Sequence, residues 1–406
     1  MKTQLRVCVS IIMLIVFAST GRGIYTSVAD EKVLSGNYAQ KTIAIDESVA
    51  VEYGIVTNAV SVVLMEKTTG KVLYAENENE QLYPASVTKI MTILLVCEAV
   101  DSGKIKLSDT VACSENAASK GGSQIWLEPG EIMSVEELLK ATCVYSANDA
   151  CTLLGEYIAG SEQAFCQLMN TKADELGMMS THFDNCTGLD DTSETHLTTA
   201  YDVALMSRAL LKYDFIKKYT TIWMDSLRDG KTQLVNTNKL VRFYEGITGL
   251  KTGTTVKAGC CISATAERDN MELIAVVMGS ENSKDRFSTA ENLLDWGFAN
   301  YEIYTPDTDL TEISVDVVFG KKDSVSVKIP EMSPILINKG ESGNINVDIS
   351  IDESVTAPVE INQPVGKIVV RNSDKVLSEY EISVSEYVGT LTFFDAILKL
   401  ITSFSE

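Results

Sequence analysis

The chain has 406 residues, 45% hydrophobic and 22% charged, which makes it globular and long enough for two domains with tails. Its net charge of -22 excludes nucleic-acid binding, because phosphate contacts need clustered Lys and Arg, and leaves no basic patch for anionic lipid. Nine cysteines are scattered singly apart from the adjacent Cys260 and Cys261, with no Cys-x-x-Cys spacing for zinc. Cys97, Cys143 and Cys151 fall in apolar helical patterns and read as core residues, so the fold is expected not to rely on disulfides.

Lys2 and Arg6 precede an apolar run from Val7 to Ala18 followed by small residues, the pattern of a secretory signal over residues 1–23. Residues 24–50 keep no period and read as a spacer. A hairpin is expected from Ala59 to Glu66 and Lys71 to Ala75, around Thr68, Thr69 and Gly70. From Ala85 to Val100 apolar residues recur at helical spacing, with Pro84 as start signal and Asp101, Ser102 and Gly103 as stop. Helices follow at Ser134–Thr142, Asn148–Ala159, Ser161–Leu176 and Thr199–Leu211, then strands at Cys260–Glu267 and Met271–Gly279, then a helix at Arg286–Tyr301. This order is an α/β arrangement whose first and last parts can share one sheet, within a domain spanning 51–305.

Beyond Pro306 the texture changes to short alternating runs around Val325, Ile345 and Ile368, broken by prolines, which predicts a small all-β domain over 306–385. The tail, residues 386–406, carries Phe393, Phe394, Ile397, Leu398, Leu400, Ile401 and Phe404 on one helical face. Composition leaves two readings: a helix docked on its own domain, or one lying in a membrane interface.

Three elements carry the candidate chemistry. Ser86 and Lys89 stand three apart at the start of the strongest helix and project to one face. A lysine withdrawn from water loses affinity for its proton and can act as base to a serine hydroxyl, and helix-start amides favour an oxyanion. Ser146 and Asn148 lie 60 residues on, where a plain helix cap is the competing explanation. Lys251, Thr252 and Gly253 follow 105 residues after Ser146, where an exposed turn is the competing explanation. In this order the set resembles the Ser-x-x-Lys, Ser-Asp-Asn, Lys-Thr-Gly trio of penicillin-binding proteins and class A β-lactamases, with Ala147 in place of the Asp. Other chemistries fit poorly. No G-x-S-x-G elbow or H-E-x-x-H accompanies the two histidines, His182 and His196, which read as structural, and no cofactor or metal is called for.

The stretches PASVTKIMT, GGSQIWLEPGE, YSANDAC, THFDNCTGLD, TAYDVA, NTNKL, GLKTGTT and SKDRF resemble the D-alanyl-D-alanine carboxypeptidases among low-molecular-mass penicillin-binding proteins. The resemblance implies a β-lactamase/transpeptidase-like catalytic domain, an antiparallel sheet with a helical block, followed by the β domain and an amphipathic helix. It implies Ser86 as acyl-forming nucleophile, Lys89 as its proton acceptor and Ser146 as relay to the leaving D-alanine. Asn148 would hold the substrate amide, Lys251 and Thr252 the carboxylate, and the amides of Ser86 and Thr254 the oxyanion, with Gly253 between them and Arg286 a further carboxylate candidate. Thr254 departs from the aromatic or His common in the family, and Thr237 replaces an arginine some members have. The implied partners are the peptidoglycan pentapeptide, β-lactam inhibitors and the outer face of the cytoplasmic membrane. An endopeptidase, a transpeptidase, a β-lactamase or a silent wall-binding protein using the same groove are the alternatives. The missing Glu-x-x-x-Asn loop and the extra β domain count against the lactamase.

Overall fold

The computed structural model describes residues 55–190, 193–308, 310 and 313–397; the expected signal, the spacer and the tail from Leu398 onward lie outside them. Five strands form the central sheet: β1 (Ser61–Glu66), β2 (Val72–Glu76), β3 (Ile247–Thr255), β4 (Gly259–Arg268) and β5 (Met271–Ser280). Their order is β2-β1-β5-β4-β3, all antiparallel, so the first hairpin and the late strands do share one sheet. Both faces of that sheet are covered. Val63, Met65, Val276 and Met278 face a large helical core, whereas Val62, Leu64, Ala275 and Val277 face the helix α6 (Ser283–Asn300). Continuous apolar runs in β1 and β5 follow from that double burial, since successive side chains of a strand point to opposite faces.

The helical block comprises α1 (Lys89–Asp101), α2 (Val135–Val144), α3 (Asn148–Ala159), α4 (Glu162–Leu176) and α5 (Ala200–Leu210). Local signals set their ends: Ser134 and Glu137 form a capping box at α2, Ser161 caps α4, and left-handed Gly160 and Gly177 close α3 and α4. The predicted helix from Ala85 divides into a 3-10 turn, Ala85–Thr88, followed by α1. Every residue from Lys89 to Cys97 in α1 is buried, so it is a central core helix without a solvent face.

The Lys-Thr-Gly triplet is not an exposed turn ahead of the strands. It lies inside β3, a strand absent from the pattern-based expectation, because its Gly and Thr residues dilute the apolar signal. All eight described cysteines are free and buried.

After β6 (Tyr301–Tyr304) come β7 (Ser314–Val318), β8 (Ser324–Lys328), β9 (Ile335–Asn338), β10 (Ile345–Ile351), β11 (Ser354–Thr356), β12 (Pro364–Asn372) and β13 (Lys375–Val384). Six of them form a sheet ordered β10-β12-β13-β8-β7-β11, and β6 pairs with β9. Val315, Val325, Val365, Ile368, Ile382 and Val384 make a core of their own there. A helix at 393–397 opens the tail.

Where α6 crosses the sheet, a Cβ on Gly297 would stand 2.5 Å from Leu273 Cδ1 and 3.0 Å from Leu64 Cδ2. Gly297→Val is therefore expected to destabilise the chain by about 2 kcal/mol through overpacking, read as a lowered urea midpoint with an unchanged slope.

Candidate active site

Ser86 sits in the 3-10 turn that feeds α1, and Lys89 begins the helix proper, so one tight turn brings the two side chains together. Lys89 Nζ donates to Ser86 Oγ at 2.8 Å and to the Thr187 carbonyl at 2.7 Å. The lysine is 0% exposed, and that burial lowers its pKa to about 8, more strongly than nearby Cys151, Cys186 and Asp149 raise it. A neutral amine is thus within reach at ordinary pH.

The backbone around Ser86 is clasped from two sides. Ala85 holds a left-handed φ of 48°, a costly conformation for a residue with a Cβ. On one side a Cβ at Gly188 would collide with the Ala85 carbonyl. On the other, a Cβ at Gly253 would lie 2.8 Å from Ser86 N and 2.9 Å from the Pro84 carbonyl oxygen. Gly253 is required by close approach, which brings the backbone of β3 alongside the Ser86 amide.

Residues 185–188 were not singled out individually from the sequence, yet they hold the lysine. Asn185 Oδ1 accepts from the amides of Thr187 and Gly188 at 3.1 and 2.7 Å, an Asx-type turn that aims the Thr187 carbonyl at Lys89. The Asn-x-Thr-Gly spacing within THFDNCTGLD was the available signal. His196 braces the same turn: its Nδ1 accepts from the Asp184 amide at 3.0 Å, so Nε2–H donates to Thr88 Oγ1 at 2.8 Å. Burial pushes the His196 pKa down to about 4, which keeps the ring neutral. His182 is exposed and pairs with Asp184.

Ser146 and Asn148 do not act as helix caps. Ala147 occupies the N-cap of α3 without a side-chain bond, and Ser146, at a left-handed φ of 64°, has a buried Oγ with no protein partner. Asn148 Nδ2 donates to the Gly121 carbonyl at 2.6 Å while its Oδ1 has no partner. The neighbouring Asp149 carboxylate accepts from the Ile125 and Leu127 amides, and so ties the 121–127 loop to the start of α3.

From β3, Lys251 is buried and donates to the Thr252 carbonyl at 2.9 Å, while Thr252 Oγ1 donates to Thr237 Oγ1 at 2.8 Å. Burial lowers the Lys251 pKa well below its ordinary value, and repulsion from Lys89 adds to that. Arg286, in α6, lies behind the strand end: Nη1 donates to the Gly253 carbonyl and to Thr254 Oγ1, each at 3.0 Å, and to the Cys261 carbonyl at 3.3 Å. Its Nε is buried without a partner. The fold thus gathers Ser86, Lys89 and Gly253 directly, with Arg286 bracing the strand that carries Gly253 and Thr254. Such an arrangement can deprotonate a serine in a water-poor site beside backbone amides, which is the chemistry of acyl transfer.

The family described as D-alanyl-D-alanine carboxypeptidase matches residues 48–282, and the C-terminal domain of penicillin-binding protein 5 matches residues 298–390. The D-alanyl-D-alanine carboxypeptidase DacF of Bacillus subtilis is 45% identical over 82% of this chain and 88% of its own length. Penicillin binding protein 5 from Haemophilus influenzae superposes with a TM-score of 0.71 at 31% identity, covering 82% of this chain and 98% of that one. Penicillin-Binding Protein D2 from Listeria monocytogenes, solved in its ampicillin-bound form, covers 60% of this chain and 98% of its own at 30% identity, with a TM-score of 0.55. The chain belongs to the D-alanyl-D-alanine carboxypeptidases. It is a serine-type peptidase of the penicillin-binding class, with a mixed α/β catalytic domain followed by an all-β domain.

Gly253→Ala is expected to lower the rate of penicillin acylation at least a hundredfold, because the new methyl pushes β3 away from Ser86 N. A near-native circular-dichroism spectrum with lost acylation is the outcome that checks it.

Proposed function

We propose that Ser86 is the residue acylated in the carboxypeptidase reaction and that Lys89 takes its proton. The observation that carries this reading is the fully buried Lys89 amine 2.8 Å from Ser86 Oγ. Ser86 Oγ attacks the carbonyl between the two terminal D-alanines as its proton passes to neutral Lys89. The amides of Ser86 and Thr254 stabilise the oxyanion. Collapse breaks the C–N bond, and D-alanine leaves with a proton delivered through Ser146, whose unpartnered hydroxyl supports a relay role. Water then attacks the ester, gives the shortened stem peptide and restores the serine.

Asn148 holds the substrate amide, for which its unpartnered Oδ1 is an available acceptor. Lys251 and Thr252 receive the terminal carboxylate; an arriving anion raises the Lys251 pKa and favours its ammonium form. Arg286, bonded to Gly253 and Thr254, supports that subsite by bracing its strand. The ampicillin-bound Listeria relative supports the reading that β-lactams acylate the same serine.

In this reading the chain is exported by a signal at 1–23, and the peptidase domain spans 51–305 and the β domain 306–385. Residues 386–406 attach it to the outer face of the cytoplasmic membrane. Among the described residues no helix is long and apolar enough to cross a membrane.

Fluorescent penicillin is expected to label the wild-type chain on the peptide containing Ser86, and Ser86→Ala to abolish both label and D-alanine release from a pentapeptide ending in two D-alanines. Because the base must be neutral, acylation should rise with pH and fall about tenfold per unit below the Lys89 pKa of about 8. A rate flat from pH 6 to 9 would remove Lys89 from the role of base.

A further inference from the structure

The turn between β7 and β8 carries a large apolar residue out into water. Phe319 is 69% exposed, and its backbone holds a left-handed φ of 60°. A phenylalanine kept in a strained conformation with its ring solvated gains nothing for the fold of its own domain. The turn is nevertheless tightly built, since a Cβ on Gly320 would collide with Val317.

This turn is bonded to the start of the tail helix. Leu391 N donates to the Phe319 carbonyl at 2.8 Å, Lys321 N donates to the Gly389 carbonyl at 2.9 Å, and Gly320 bridges Thr390. Lys321 pairs with Asp395 at 3.6 Å and Lys322 with Glu386 at 2.5 Å. The tail helix begins at 393 with Phe393 and Phe394, each 77% exposed. Three solvated phenylalanine rings therefore belong to one hydrogen-bonded unit, and the apolar pattern continues in sequence through Leu398, Leu400, Ile401 and Phe404 to the end of the chain.

We propose that the turn Phe319–Lys322 and the helix beginning at Phe393 enter a lipid surface together, with Phe319 as a second insertion point supplied by the β domain. The proposal rests on the membrane attachment inferred above and adds a residue outside the tail. A lipid interface is the occupant that fits, because it accepts aromatic rings without a complementary pocket. The only cations in this turn, Lys321 and Lys322, are already paired with carboxylates, so the unit offers apolar contact and little charge. Two anchoring points on a hydrogen-bonded unit would hold the β domain at a defined angle to the bilayer, which a single helix free to roll does not.

The test is co-sedimentation of the full exported chain with vesicles of phosphatidylcholine alone and with added phosphatidylglycerol, at low and high salt. The expected result is binding that differs little between the two lipids and the two salts. Phe319→Ser should bind about tenfold more weakly, whereas Phe393→Ser with Phe394→Ser should bind more weakly still, all with unchanged penicillin acylation. Phe319→Trp should restore binding and shift its added fluorescence to shorter wavelength on vesicles. Wild-type affinity in Phe319→Ser, or a Phe319→Trp emission that does not move, overturns the insertion of the turn and leaves tail attachment standing. Absence of vesicle binding by the wild-type chain overturns the attachment reading and this proposal with it. A wild-type dimer in sedimentation velocity that Phe319→Ser converts to monomer, with vesicle binding unaltered, assigns the surface to a second copy and overturns the proposal.

Discussion

Lys89 is the constraint around which the catalytic domain is organised, because its amine lies entirely out of water at the head of the central helix. An ammonium in that position carries a desolvation penalty of several kcal/mol, and it can persist only if its protons find acceptors. Two are supplied, Ser86 Oγ and the Thr187 carbonyl. Each fixes a different part of the chain: the first belongs to the turn before α1, the second to a loop that the Asn185 side chain folds back onto it. The same burial that makes the lysine costly makes it easier to neutralise, as the proposed role of base requires. Residual stabilisation of the charge would raise its pKa and remove that function, so the site is a compromise between satisfying the amine and keeping it easily neutralised.

Close backbone approach is the second condition. Ser86 lies in a turn with a left-handed alanine, and such strain survives only where the surroundings over-determine it. Gly188 and Gly253 allow the flanking chains to come near enough to do so, and His196 adds a hydrogen bond to Thr88 from a ring that burial keeps neutral. Arg286 completes the clasp from behind by taking the Gly253 carbonyl and the Thr254 hydroxyl. Thr254 fits this clasp because its hydroxyl donates to the Gly253 carbonyl and accepts from Arg286.

Much of this was legible before any coordinates. Four helices of the block, α2 to α5, and α6 fell within three residues of their expected ends, because capping serines, terminal glycines and apolar periods all act within one or two turns, while α1 begins four residues later than expected, after the 3-10 turn. β3 was missed for the opposite reason. Ile247–Thr255 carries two glycines and four threonines, and its burial comes from the Ser86 turn and α6, both distant in sequence, as well as from the adjoining β4. The central helix kept its position, but it is buried on all sides from Lys89 to Cys97, because other elements surround it. At the site, ordered motifs named Ser86, Lys89, Ser146, Asn148 and Lys251. They did not name Thr187, whose contribution is a carbonyl that every residue type possesses, and only the turn around it left a mark in the sequence, as Asn-x-Thr-Gly.

The cysteines follow the same logic of burial. A thiol reacts as its thiolate, and withdrawal from water disfavours that charged form. Cys113, Cys143, Cys166 and Cys261 all have pKa values pushed upward mainly by burial, and every described cysteine lies in the interior. A chain read as exported can therefore carry free thiols in an oxidising medium, provided its core stays closed. Local opening is then the event that exposes those four thiols, so their oxidation would follow the stability of the fold around them.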